Sequence, residues 1–428
     1  MSTPALSTEY DLTRTGAIEL DTLDPLAAYR AAFHFPRTAA GEPYLYFTGN
    51  SLGLRPVRAV AAVEQELEDW GALGVEGHFE ARAPWYSYQE QVQGLLADVV
   101  GALPHEVAAM NTLTTNLHLL MVSFYRPRPE RYRILVEPRA FPSDQYAVAS
   151  QVRWHGYDPA EAIIELRPRE GEDTIRTEDI EQLLEEQGEQ IALVMLGGVN
   201  FYTGQAFEME RVTSAAHRAG CIVGFDLAHA AGNLMLRLHD WNVDFACWCS
   251  YKYLNSGPGG VGGLFVHDRH ADDPSLPRFS GWWGVDPETR FAMNPRFVPQ
   301  RGAMGWALSN EQVLPLAVHR ASLELFASAT MERLRAKSLQ LTGYLEALLG
   351  SMGSDRFTII TPRDPMQRGC QLSIRIKGDA RELAGALKER GAIVDFRTPD
   401  VLRLAPVPLY STFEEVWKGA RLLDELAG

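Results

Sequence analysis

An aspartate that closes one apolar run and a lysine that follows the next are the side chains here best placed to do chemistry together. Asp226 ends Cys221-Ile222-Val223-Gly224-Phe225, a buried-strand pattern. Its carboxylate is therefore expected at a strand's C-terminal end, where ligands bind in open α/β sheets. An aspartate in that place also caps helices, so alone it decides little. Lys252, in Ser250-Tyr251-Lys252-Tyr253-Leu254, follows Asp244-Phe245-Ala246-Cys247-Trp248-Cys249 and precedes the glycine-rich Gly257-Pro258-Gly259-Gly260. A surface lysine can bury its stem and keep its head wet. Aromatic neighbours on both sides argue instead for partial burial, which favours the neutral amine that attacks aldehydes.

An acid after one strand and an amine after the next suit pyridoxal phosphate, with the carboxylate on the ring nitrogen and the amine on the aldehyde carbon. Two further features fit that reading. Asn111-Thr112-Leu113-Thr114-Thr115-Asn116 precedes an apolar helical pattern, and free N–H groups with hydroxyls at a helix start can seat a phosphate as well as serve as plain caps. Tyr251 is also able to reach that phosphate. Arg403 alternates with apolar residues in Val401-Leu402-Arg403-Leu404-Ala405-Pro406 and is costly to bury unless it meets an anion. That anion is either a substrate carboxylate gripped bidentately or a structural salt-bridge partner.

The elements that must position these groups alternate through the middle of the chain. Strand patterns occupy 133–137, 163–166, 191–196, 221–226, 244–249 and 261–266, and helical patterns occupy 141–152, 177–186 and 208–219, the last ending at Gly220. Strands apolar on both faces predict an α/β fold with a mostly parallel sheet sandwiched by helices. The glycines after Lys252 are expected to turn the chain back into an edge or antiparallel strand. Beyond Leu308 the texture changes: one long helix from Asn310 to about Leu349, then short strands and two helices predict a smaller α/β domain. The N-terminal segment, with Asp24 as a helix cap and Pro25 behind it, is expected to pack on that smaller domain. The division expected is 1–60 contributing to the small domain, 61–310 as the large domain and 311–428 as the C-terminal small domain.

Composition bounds the partners. The chain has 428 residues, 46% hydrophobic and 22% charged, with a formal net charge of −15. That charge repels phosphate backbones and anionic membranes at long range. The opening MSTPALSTEYDLTRTGAIELD lacks the basic n-region of a signal peptide, and no apolar run reaches the ~20 residues of a membrane span. Cys221, Cys247, Cys249 and Cys370 lack metal or redox spacing, which suits buried free thiols in a reducing cytoplasm.

Several strings, in order along most of the chain, resemble those of fold-type I, aminotransferase-class-V pyridoxal phosphate enzymes, and within them the kynureninase family. They are Thr48-Gly49-Asn50-Ser51-Leu52-Gly53-Leu54, Phe141-Pro142-Ser143-Asp144, Phe201-Tyr202-Thr203-Gly204-Gln205, the segment Gly224 to Ala230, Ser250 to Asn255, Gly281-Trp282-Trp283-Gly284 and Arg403 to Leu409. The resemblance implies pyridoxal 5′-phosphate as cofactor and an aspartate-aminotransferase-like fold with a seven-stranded sheet. Leu113 and Thr114 would hold the phosphate, and Phe141, with Pro142 and Ser143 beside it, would cover one ring face. Asp144, Asp226 and His229 would contact the cofactor, and Tyr251, Trp282 and Asn310 would complete its site, some across the interface of a homodimer. Arg403 would take the substrate carboxylate, with Ser51, His78 and Asn310 also on the substrate side. Lys252 would move the α-proton and Tyr202 would protonate the side-chain-derived carbon, a pair that predicts a bell-shaped rate profile. One departure is visible: where relatives often offer a hydroxyl residue just before the Gly-Val step, this chain reads Gly197-Gly198-Val199.

The implied activity is hydrolysis of the Cβ–Cγ bond of L-kynurenine or 3-hydroxy-L-kynurenine, in tryptophan breakdown or nicotinamide-cofactor synthesis. His78 and Asn310 can each hydrogen-bond a ring hydroxyl, which would admit the hydroxylated substrate. Competing readings are a cysteine desulfurase, which needs a mobile nucleophilic cysteine, an aminotransferase, or a catalytically silent binding protein on the same fold. The last would lack an essential group, yet Lys252, Asp226, Tyr202 and Arg403 are all present.

Overall fold

The computed structural model describes residues 10–273, 275–352 and 356–427. The first nine residues, which open the segment read above for a leader, lie outside the described residues. Strands of the large sheet are β1 (Val107–Ala109), β2 (Arg133–Val136), β3 (Ile163–Glu165), β4 (Ile191–Gly197), β5 (Ile222–Asp226), β6 (Phe245–Cys249) and β7 (Gly262–Val266). They lie in the order β1-β7-β6-β5-β4-β2-β3, and β7 alone runs antiparallel to its neighbours. The glycine-rich turn thus does reverse the chain, but β1 covers what would have been an edge.

The apolar runs are continuous because alternate residues feed two cores. Leu135, Val194, Phe225 and Trp248 join one cluster, while Ile134, Val136, Leu193, Met195, Phe245 and Cys247 join the other. A period-two side-chain pattern buried on both faces leaves no polar face to the sheet. The helix Met209–Arg218 leads back into it through Gly220, whose φ of +76° suits a residue without a Cβ.

The small domain carries the antiparallel strands β8 (Phe357–Ile359), β9 (Leu372–Ile376), β10 (Asp395–Arg397) and β11 (Val401–Leu404), in the order β8-β9-β11-β10. Its core mixes both ends of the chain: Ala17 and Phe47 pack with Leu341, Leu345, Leu402 and Leu423. The bridge between Leu45–Tyr46 and Ala392–Ile393 ties the N-terminal segment to it directly.

Three expectations change. The long helix is two, Val313–Ala329 and Met331–Ser351, broken at Thr330 with φ of +60°, a conformation a β-branched residue does not hold inside a helix. Leu316, Leu323, Phe326 and Leu334 belong to the core of the large domain, so the change of core falls between Leu334 and Leu341, later than position 311. Asp24 ends the helix Arg14–Leu23 instead of starting one. Its carboxylate accepts from the Leu26 N–H and pairs with buried Lys337 at 2.7 Å. All four cysteines are buried and free. No helix among the described residues is long and apolar enough to cross a membrane.

Candidate active site

The carboxyl ends of adjacent strands bring the chemistry together. Asp226 ends β5 and stands beside Gly197, the last residue of β4, in the strand register. Glu137 follows β2, and the chain leaving β6 leads through Ser250 to Lys252. Between them is a cavity of about 200 Å³ lined by Leu113, Thr114, Glu137, Phe141, Asp144, Asp226, His229, Tyr251 and Lys252, with Ser143 and Phe201 at its wall. All of these but Glu137 and Phe201 were expected to touch the cofactor.

Lys252 is 8% exposed, and its Nζ donates to His229 Nε2 at 3.0 Å. Burial, with Lys252 and the Arg403 and Arg397 guanidinium groups behind it, holds His229 well below the usual imidazole range, so the ring is neutral and can accept. Its Nδ1 is buried without a partner. Asp226 accepts from the Ala228 N–H at 2.7 Å and so pins the turn that follows β5; among the described residues no helix starts there for it to cap. Burial raises both Asp226 and Asp144, and Asp144 more, because it also faces the Asp226 carboxylate. Of the two, Asp144 is therefore the readier to be protonated, and as the acid it can donate toward Asp226. Burial also pushes Glu137 up to about 7, against the hydrogen bond from Asn200.

The helix start expected to seat a phosphate is equally legible. The helix Leu113–Phe124 starts at Thr112 with no side-chain cap on its first N–H groups, which leaves them free for an anion. The Thr112 hydroxyl instead meets the Thr115 hydroxyl at 3.1 Å. Phe141 stands at the mouth, its ring centroid 5.5 Å from Lys252 Nζ and edge-on to Phe201. Pro142 opens the helix Pro142–Trp154 and sets its direction, without lining the cavity.

Other expected residues lie elsewhere in the chain. Tyr202 lines the neighbouring cleft with Arg139, Arg375 and Asp400, because successive residues of its turn face opposite sides and Phe201 takes the cavity side. The phenol inside the cavity is Tyr251, raised in pKa by burial and hydrogen-bonded to Cys249. Arg403 is buried on β11. It pairs with Asp395, its register partner on β10, and donates to the Phe201 carbonyl at 2.6 Å. The salt bridge weighed from sequence is therefore present, and Arg403 is within electrostatic reach of His229. Trp282 is 44% exposed, Ser51 and Asn310 are exposed, and His78 packs edge-on against Trp85. None of these four lines the Lys252 cavity.

Sequence reasoning passed over Glu137, Asn200, Asp395 and Arg397. Glu137 carried the same signal as Asp226, an acid closing an apolar run. Asp395 carried none, since only the β10–β11 register sets it against Arg403.

The family model for the kynureninase C-terminal domain matches residues 334–423. Over 424 residues the chain is 56% identical to the kynureninase of Myxococcus xanthus, covering 99% of each. The chain belongs to the kynureninase family. The kynureninase of Koribacter versatilis is 55% identical, with 96% of each chain covered. The likeness to solved structures is much lower in sequence. A cystine C–S lyase bound to cysteine persulfide superposes with a TM-score of 0.75 at 18% identity, over 90% of this chain and 97% of that one. The Escherichia coli cysteine desulfurase CsdA gives 0.74 at 18%, over 94% and 98%. Those likenesses show the fold, that of the fold-type I enzymes, and nothing finer. Cys249 does line the cavity, but it sits in β6 with its thiol raised by burial, the opposite of a mobile nucleophile.

Proposed function

We propose that this chain is a carbon–carbon hydrolase that cleaves L-kynurenine, 3-hydroxy-L-kynurenine or both, giving anthranilate or 3-hydroxyanthranilate and L-alanine. Pyridoxal 5′-phosphate is the cofactor in this reading. The observation that carries it is the cavity that joins Lys252, neutral His229, the Asp144–Asp226 pair and the uncapped helix start at Leu113. An amine, a carboxylate and an anion seat at three sides of one small cavity fit that cofactor's aldehyde, ring nitrogen and phosphate. The unpartnered His229 Nδ1 fits a polar group there as well. When bound, the cofactor supplies an electron sink for charge developing at the substrate's α-carbon.

The chain's own groups do the rest. Lys252 moves the α-proton, and neutral His229 accepts a hydrogen bond from its ammonium without competing for charge. Asp226 keeps a proton on the ring nitrogen, with Asp144 donating to it from behind. Phe141 and Phe201 close the mouth against water. Arg403, aligned by Asp395 and the Phe201 carbonyl, takes the α-carboxylate. The proton for the β-carbon comes from Tyr251, the phenol that lines the cavity, in place of Tyr202.

The decisive experiment incubates the cofactor-loaded protein with kynurenine and follows fluorescent anthranilate together with L-alanine. Stoichiometric release of both is expected. Amino-group transfer to an α-keto acid, or sulfur release from cysteine, with no anthranilate would overturn the reading.

A homodimer in the cytoplasm, serving tryptophan breakdown or nicotinamide-cofactor synthesis, completes the proposal. Trp282 and Asn310 then act in the partner's site. Support comes from the exposed aromatic face of Phe79, Trp282 and Phe291 and from an apolar groove that includes Leu54, Val60, Pro258 and Leu314. Mixing inactive K252A with inactive W282A/N310A subunits is expected to restore activity, up to about a quarter of wild type when one intact site forms per random heterodimer. Mixtures that stay inactive while exchanging subunits would show that each site is built within one chain.

A further inference from the structure

Glu137 is the buried carboxyl of the cavity to which the reaction above gives no task. It leaves β2 and reaches across Gly197, where a Cβ would lie 2.8 Å from Glu137 Oε1. Its Oε2 accepts from Asn200 Nδ2 at 3.1 Å. The other end of the same amide, Asn200 Oδ1, accepts from the Tyr202 N–H at 3.0 Å, the Thr203 N–H at 2.9 Å and the Thr203 hydroxyl at 3.1 Å. The turn so closed, 200–205, is the seat on which the small domain docks. Three successive carbonyls accept from small-domain side chains: Phe201 from Arg403 Nη1 at 2.6 Å, Tyr202 from the Ser373 hydroxyl at 2.6 Å, and Thr203 from the Thr361 hydroxyl at 2.6 Å.

The chemistry of an amide makes Glu137 the control point. An asparagine side chain presents an acceptor at one end and two donors at the other, and the two ends have nearly the same shape. With Glu137 in place the amide's NH2 faces an acceptor and its oxygen faces the turn. Without it a buried NH2 loses its partner, and a half-turn of the amide would set donors against two backbone N–H groups. The cost falls on the turn and so on the Phe201 carbonyl that holds Arg403.

We propose that Glu137 is a positioning residue for substrate recognition: through Asn200 it holds the 200–205 turn, and through the Phe201 carbonyl it aims Arg403 at the substrate's α-carboxylate. This rests on the reading that Arg403 binds that carboxylate.

The test uses the cofactor-loaded protein and two probes read by absorbance titration: L-alanine, which carries the carboxylate, and ethylamine, which lacks it. Glu137→Ala and Asn200→Asp, which keeps the acceptor facing the turn and removes the donor facing Glu137, are both expected to weaken alanine binding and raise KM about tenfold. That is the effect of one lost buried hydrogen bond. Ethylamine binding and kcat should change by less than about threefold. Glu137→Gln, whose amide oxygen can still accept from Asn200, should stay near wild type. In an Arg403→Lys background, Glu137→Ala should add little. Asn200→Asp carries the same test if E137A does not fold. Wild-type alanine affinity in both variants, or a loss in E137A fully additive to that of R403K, overturns the positioning role while leaving the Arg403 anchor intact. Unchanged alanine binding in R403K itself would sink the anchor and this inference with it.

Discussion

Lys252→Ala is expected to lower kcat by at least about 10³-fold, the upper range for removing a group that moves a proton in the rate-limiting chemistry. The protein should also lose the visible absorbance of cofactor joined to it. The side chain is buried at the sheet's C-terminal edge and donates to a neutral histidine, so its removal leaves no buried positive charge unpaired at His229. It does remove one of the charges that pull Asp226 down, so the Asp144–Asp226 pair should hold a proton more tightly. Folding should therefore survive, and a thermal midpoint close to wild type separates lost chemistry from lost structure. Small primary amines added at millimolar concentration are expected to return part of the activity, because the cavity left by the lysine stem admits them. A K252A protein with near-normal turnover would return this residue to a surface lysine with a buried stem.

The second large effect belongs to Asp226, and its contrast with Asp144 is the informative part. Asp226→Asn keeps the shape but removes the charge that holds a proton on the ring nitrogen, and kcat should fall about 10²–10³-fold, as for other preorganised groups facing a transition state. Asp144→Asn is expected to be milder by at least about tenfold. Asp144 is the more strongly raised of the two and, when protonated, can donate toward Asp226, a donation that an asparagine NH2 can also make. The measurement is kcat for both variants beside the cofactor dissociation constant of each. If D144N proved the more damaging, the proton would sit on the other carboxyl and the role of ring-nitrogen partner would pass to Asp144.

These two residues were legible from local pattern because each follows a strand whose apolar run is unmistakable. The same pattern marked Glu137, which was passed over since an acid at the end of a run reads equally as the start of a loop. The helix start at Leu113 was legible as a cluster of small polar residues, although only the folded chain shows that no side chain caps it. Tyr202 shows the limit in the other direction. Its motif was conspicuous, yet a turn pinned through Asn200 sends its ring to the next cleft, and a phenol adjacent to the lysine takes the cavity instead. The single long helix failed for a similar reason: helical periodicity runs straight through Thr330, and the break there comes from one positive φ that periodicity does not register.

Sequence by itself determined the doubly covered sheet and the acid–amine pair at its edge, because apolar alternation and strand ends are properties of neighbouring residues. Tertiary structure alone decided which distant groups meet: Asp395 with Arg403, three carbonyls of one turn with the small domain, and Asp144 with Asp226. Proton placement followed from those meetings. Burial and the nearest charge set it, and both depend on contacts between residues far apart in the chain.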